Sequence, residues 1–123
     1  MKMPKPTDED RSRFGALVPV DPRVEVKPMF GNLGAFVNGN MFAGLFGADI
    51  GVRLADADRE RLLAQGGGPF GPEERPMGGY VTLPVAVRDD PGTGATWMRK
   101  ALDHVGAMPP KQRKPSTRRP TRS

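Results

Sequence analysis

Residues 28–45, PMFGNLGAFVNGNMFAGL, constrain the fold of this chain more than any other stretch. Asn38-Gly39 separates two apolar runs. A two-residue type I′ turn needs positive φ at both central positions, and Asn followed by Gly tolerates this best. Residues near 29–37 and 40–46 are therefore expected to pair antiparallel. Side chains alternate across a strand. Strict alternation puts Phe30, Asn32, Gly34 and Phe36 on one face of the first strand, and Met29, Gly31, Leu33, Ala35 and Val37 on the other. On the second strand Met41, Ala43 and Leu45 oppose Phe42, Gly44 and Phe46. Neither face is polar, whereas a sheet with one wet face alternates apolar with polar. Both faces thus need a cover: helices of the chain, its tail, or another subunit. Exposed apolar patches mark interaction surfaces, so Phe30, Phe36, Phe42 and Phe46 are the candidate interface residues, with a homodimer as one expected use.

The remaining elements follow from local signals. Thr7-Asp8-Glu9-Asp10 is a helix start, with Thr7 as N-cap and acids where the helix dipole favours them. That helix is expected to reach about Val18, with Phe14, Leu17 and Val18 inward, and to stop at Pro19 and Pro22. Val24 and Val26 alternate with charges and lead into the hairpin as a short strand or its extension. Gly47-Ala48-Asp49 is a second turn, and Ile50, Val52 and Leu54 alternate as a third strand. Residues 55–65 form a second helix, stopped by Gly66-Gly67-Gly68-Pro69. Residues 70–79 read as a loop. Residues 80–87 read as a strand that Pro84 confines to an edge or a bulge. Asp89-Asp90-Pro91-Gly92-Thr93 turns into a last helix over about 94–105. There Trp97, Met98, Ala101, Leu102 and Val105 make one apolar stripe, and Arg99 can pair with Asp103. The order predicts an α+β domain of two layers: an antiparallel sheet of four to five strands with helices packed on one side. Residues 7–108 form this domain, after a flexible lead over residues 1–6.

A chain of 123 residues has room for one domain. Its formal charge of +5 is unevenly distributed. The last fifteen residues, PPKQRKPSTRRPTRS, hold six cations (Lys111, Arg113, Lys114, Arg118, Arg119 and Arg122) and no acid. Taking these six from 19 basic residues leaves 13 against 14 acids, so residues 1–108 carry about −1. The basic character belongs to the tail, residues 109–123, which its Pro and Arg content predicts to be disordered. Six cations among prolines can neutralise phosphates without reading bases. With all six engaged on DNA or RNA, log affinity falls with log salt at a slope of about −5. No aromatic residue is interleaved in the tail, which argues against stacking on single strands there.

With these elements laid out, the chain resembles the N-terminal domain of the TfoX/Sxy family over about residues 10–108. The resemblance rests on Met29-Phe30-Gly31 opening the hairpin and Met41-Phe42-Ala43 closing it. A charged helix after the third strand, Pro69-Phe70 after a Gly-rich helix end, and residues 80–84 before a final helix with Trp97 agree with it. It implies an α+β fold and a loose regulatory role. The family's best-known members regulate natural competence as co-activators alongside a cyclic-AMP receptor protein. Those members carry a second, helical domain, for which 123 residues leave no room. The family supplies no catalytic residues.

Other chemistries find little support. With no cysteine, disulfides, thiolate metal sites and Cys nucleophiles are excluded. His104 is the single histidine and sits on the polar flank of the last helix, so no metal site is expected. Ser12, Ser116 and Ser123 lack a nucleophile-elbow context. Asp89-Asp90 reads as a helix cap, and Gly66-Gly67-Gly68 follows a helix rather than cradling a phosphate. Gly92-Thr93-Gly94 precedes a helix, where free N–H groups favour anions. No cofactor is expected. The start MKMPKPTDEDRSRF lacks an apolar signal region, and no stretch approaches the ~20 apolar residues of a membrane helix. A cytoplasmic location is expected, and the Gly, Pro, Ala and Arg content suits a GC-rich bacterial genome. Two readings of function remain: a non-enzymatic regulatory domain acting through protein contacts, and a nucleic-acid-associated protein using its tail.

Overall fold

The computed structural model describes residues 5–29, 32–71 and 77–109. The Asn38-Gly39 turn organises it: φ is 53° at Asn38 and 80° at Gly39, the type I′ signature. This turn joins β2 (Asn32–Val37) to β3 (Asn40–Phe46). The strand before the turn is shorter than strict alternation predicts. Val24 and Val26 belong to a separate strand, β1 (Val24–Met29), which pairs back on β2 with Met29 opposite Asn32. Phe30 and Gly31 lie outside the described residues. After Gly47, at φ 63°, the chain returns as β4 (Asp49–Arg53), and β5 (Tyr80–Thr82) completes a five-stranded antiparallel sheet in the order β1-β2-β3-β4-β5.

Four helices complete the described residues. In α1 (Asp8–Leu17), Thr7 Oγ1 accepts the Asp10 N–H at 3.1 Å, and Asp10 returns a carboxylate to the Thr7 N–H at 2.9 Å. This capping box satisfies two otherwise orphaned donors. Val18 takes extended backbone (ψ 128°), as a residue before proline prefers. Pro6, assigned to the lead by sequence, is buried; residues 1–4 lie outside the described residues. In α2 (Asp56–Ala64) only Leu62 is buried. Its end is a Schellman motif: Gly67 N–H bonds to Leu62 O at 2.9 Å and Gly66 N–H to Leu63 O at 3.1 Å, with Gly66 at φ 109°.

The predicted strand over residues 80–87 ends early. β5 stops at Thr82, and residues Val85–Arg88 form a short helix, α3. Pro84 has no N–H for a ladder and a fixed φ suited to starting a helix. Its carbonyl then accepts Val87 N–H at 2.9 Å and Arg88 N–H at 2.8 Å. Burial of Val87 against the core outweighs the β preference of Val85 and Val87 here. The last helix, α4 (Pro91–Gly106), starts three residues earlier than predicted, with Asp90 as N-cap and Pro91 in the first turn.

One side of the sheet holds the core. Leu33, Ala35, Val37, Ala43, Leu45, Ile50, Val52 and Val81 face Phe14 and Leu17 of α1 and the stripe Trp97, Met98, Ala101, Leu102 and Val105 of α4. A β-bulge interrupts the alternation. Ala35 pairs with Ala43 but Phe36 pairs with Met41, so Phe42 is the extra residue. The bulge turns Phe42 into the core at 0% exposure and leaves Met41 on the opposite face. Phe42, a candidate interface residue by alternation, is therefore interior. Arg99 reaches Asp21 at 3.7 Å rather than Asp103. Asp21 also chelates Arg23 through both oxygens, at 3.0 and 2.9 Å. Hydrogen bonds from Arg23 hold its carboxyl down at about 2.

Candidate functional site

The second face of the sheet answers the question posed by the doubly apolar hairpin. Three glycines lie side by side across its middle: Gly34 pairs with Gly44, and Gly44 with Gly51. They leave a trough without Cβ atoms, and the ring of Phe70 lies in it. A Cβ on Gly44 would sit 3.2 Å from that ring, and one on Gly51 would overlap it. Phe70 is 3% exposed yet is no part of the main core. It meets Phe46 edge-on at 6.3 Å and Tyr80 at 6.0 Å between centroids, so it anchors a second, smaller apolar cluster.

Backbone chemistry delivers Phe70 to this place. Past the Schellman end of α2, Gly67 has no room for a side chain: a Cβ would lie 2.8 Å from Thr82 O and 2.9 Å from Leu62 O. Gly68 then clasps the edge strand. Its N–H donates to Thr82 Oγ1 at 2.9 Å, and its carbonyl accepts the Thr82 N–H at 2.8 Å. The chain thus rounds the β5 edge from the helix side to the outer face. It comes back through Met77, whose N–H bonds to Phe70 O at 2.8 Å. Gly66-Gly67-Gly68 is a helix stop and an edge crossing.

Phe70 covers only the middle of the outer face. Toward the Asn38-Gly39 end lies an open groove of about 380 Å³, lined by Phe36, Gly39, Asn40, Met41, Arg53, Met77 and Tyr80. The Tyr80 hydroxyl donates to Met41 O at 2.7 Å, on the bulged stretch of β3. Burial raises the Tyr80 pKa, and the Arg53 guanidinium beside it opposes that shift. Among the described residues Arg53 has no carboxylate at ion-pair distance. At the β1 edge, Lys27 Nζ stands 5.2 Å from the centroid of the Phe36 ring and 3.6 Å from Glu25 Oε1. A second surface hollow, between α1 and the start of α4, contains Arg13, Arg88 and Asp89. Its cations are already paired: Arg13 with Asp10 and Asp89, Arg88 with Asp89 and Ala48 O.

At the opposite end of the outer face, Asn32 is 5% exposed and its Oδ1 accepts the Gly47 N–H at 2.9 Å inside the fold. Asn32→Ala strands that donor, and denaturant unfolding should show a loss of about 1–3 kcal/mol.

The sequence-predicted sites distribute unevenly over this structure. Phe36 and Phe46 are half-buried on the outer face, Phe36 beside the groove and Phe46 against Phe70. Phe30 and the tail cations Lys111, Arg113, Lys114, Arg118, Arg119 and Arg122 lie outside the described residues. The anion reading of Gly92-Thr93-Gly94 does not survive. Asp90 occupies that helix start, its Oδ1 accepting Gly92 N–H at 3.2 Å and its Oδ2 the Thr93 hydroxyl at 2.9 Å. His104 is half-buried on α4, and among the described residues no three His, Asp or Glu side chains gather as a metal site requires. No helix of the described residues is long and apolar enough to cross a membrane. Sequence reasoning missed Arg53, Tyr80 and Met77 as groove residues. Arg53 follows Ile50 and Val52 in alternation, and that parity was the available signal that it shares a face with Gly51.

A five-stranded meander backed by α1 and α4, with Phe70 folded over a glycine trough, is the arrangement to compare with known proteins. Residues 16–105 match the TfoX N-terminal domain. The chain belongs to this family. The match spans 90 of its 123 residues and takes in the whole sheet, the Phe70 loop and nearly all of α4. A search of curated proteins returns no match.

Proposed function

We propose that this TfoX N-terminal domain is a non-enzymatic regulatory domain that acts through protein contacts made on the outer face of its sheet. The observation that carries this reading is the groove beside Phe70: apolar walls around an arginine with no acid partner among the described residues. Among the described residues its titratable groups are Arg53 and Tyr80, a pair that offers no nucleophile–base couple near neutral pH. Apolar walls with one oriented charge suit recognition. A second copy of the chain is one such partner, and sedimentation equilibrium tests it. A concentration-dependent dimer supports self-association, and a monomer at high concentration eliminates it. Capture from a cell lysate tests the wider reading. A specific protein retained by the wild type and lost with Arg53→Glu is the expected result. Equal retention by both contradicts it.

A second reading has its own observation. Asn40, on the groove rim, donates from Nδ2 to the carbonyl of Pro109 at 3.1 Å, so the basic tail begins beside the groove. Tail-mediated binding to DNA or RNA is tested by removing residues 109–123. Binding unchanged by the truncation contradicts it.

A further inference from the structure

β1 stands at one end of the sheet order, and among the described residues no strand lies beyond it. In an antiparallel ladder, alternate residues of an edge strand turn both backbone groups outward. Two observations fix which residues of β1 do so. Val24 N–H donates to Asp21 O at 2.9 Å, outside the ladder. Val37, opposite Val24, flanks the two-residue turn across from Asn40, so its backbone groups belong to β3. Val24, Val26 and Pro28 therefore face the free edge. Val24 N–H is already used by Asp21 and Pro28 has none, so Val26 holds the one remaining edge donor among the described residues. The side chains divide by face. Val26 lies opposite the core residue Ala35, yet it is 45% exposed, because α1 and α4 pack chiefly on β2, β3 and β4. Glu25 and Lys27 lie opposite Phe36 and Gly34 on the outer face.

We propose that the β1 edge is a homodimer interface, where two copies pair antiparallel about a two-fold axis at Val26 and join their sheets. The occupant is a second copy because Glu25-Val26-Lys27 is its own charge complement. A two-fold antiparallel pair can use both Val26 donors with the axis at residue 25, 26 or 27. An axis at residue 25 sets Glu25 against Glu25 of the partner subunit, and an axis at residue 27 sets Lys27 against the partner's Lys27. Like charges directly opposite each other destabilise a strand pair. With the axis at Val26, Glu25 faces the partner's Lys27, and the symmetry repeats that contact on the other side. The two Val26 residues then exchange N–H···O=C bonds, and their exposed side chains meet on the helix side of the sheet. Pro28 and the Asp21–Val24 bond keep the pairing short, so association is weak and confined to one register. The interface uses no part of the groove around Arg53.

The test is sedimentation equilibrium of the full chain up to ~1 mM, a range that reaches weak association through small interfaces. The wild type should dimerise. Glu25→Lys and Lys27→Glu should each weaken the dimer about tenfold, because each turns two opposite-charge contacts into like-charge ones. Mixed together, the two variants should associate as well as the wild type does, since an all-basic edge then meets an all-acidic one. Thermal unfolding checks that each variant stays folded. Hydrogen exchange on the wild type needs no variant, and Val26 N–H should exchange more slowly as concentration rises. A wild type that stays monomeric overturns the proposal, as does a dimer that neither charge reversal weakens. Val26 N–H protected equally at every concentration would mean that the chain covers its own edge, and would also overturn it. A dimer lost with Arg53→Glu but kept with both charge reversals would place self-association at the groove and contradict the β1 assignment.

Discussion

Phe70→Ala should lower the unfolding free energy by about 3–5 kcal/mol, the range for removing a buried aromatic side chain. That is a large fraction of the roughly 5–15 kcal/mol that holds a domain of this size. The expectation is unusual because Phe70 lies in a loop, where substitutions are commonly tolerated. Here Phe70 is 3% exposed and its ring lies directly over Gly44 and Gly51, while Phe36 and Met41 cover the Gly34 end of the trough. Its removal uncovers Gly44 and Gly51 and takes away the edge contact with Phe46 and the tilted contact with Tyr80. The main core on the helix side stays intact, since Phe70 is no part of it. Helical circular dichroism should therefore persist at the start of the denaturant curve while the midpoint falls. A loss below about 1 kcal/mol would place Phe70 among ordinary surface residues.

Removing residues 109–123 should change nucleic-acid affinity more than any single substitution. The tail holds six of the chain's 19 basic residues, and the rest of the chain is close to neutral. On duplex DNA six phosphate contacts give a salt slope of about −5, or roughly a thousandfold in affinity between ~50 and ~200 mM salt. On single strands the same contacts give about −4. The intact chain should follow these slopes, and the truncated chain should show neither the affinity nor the steep dependence. The body does not replace the tail, because most of its cations are spent locally. Arg11, Arg13, Arg23, Arg59, Arg61, Arg88 and Arg99 each stand within ion-pair distance of an aspartate. Shallow salt dependence for the intact chain would show that the tail does not carry the binding.

Much of this arrangement was legible in the residues, and the exceptions have physical reasons. Asn38-Gly39 announced the hairpin because few dipeptides accept two positive φ values. Thr7, Asp90 and the glycines after α2 announced helix ends for the same kind of local reason. Strict alternation failed at Met41 and Phe42, because a bulge is decided by what lies across the strand pair. Phe42 fills core space beside α1 and α4, and the Met41 carbonyl is taken by the Tyr80 hydroxyl. Residues 85–87 looked like strand because Val prefers one, yet Pro84 and the burial of Val87 made them helical. The groove was hidden for a different reason. Its residues come from three separate stretches of chain, 36–41, 53 and 77–80: pairing of β5 with β4 sets Tyr80 beside Arg53, and the crossing of the β5 edge brings Met77 to the outer face. The spelling Pro69-Phe70, read first as a family signature, turns out to name the side chain that covers the middle of the second apolar face.

The double-mutant cycle of Gly51 and Phe70 is the most direct test of that closure. Gly51→Ala alone forces Phe70 off the sheet, because a Cβ there overlaps the ring, and should cost about 1–3 kcal/mol as overpacking does. With Phe70→Ala in place the same methyl enters vacated space and should cost almost nothing. The coupling between the two substitutions, read from urea unfolding of the four proteins, should therefore be about 1–3 kcal/mol. Additive effects would contradict the account, since they would mean that Phe70 does not rest on Gly51 and that something else covers the outer face.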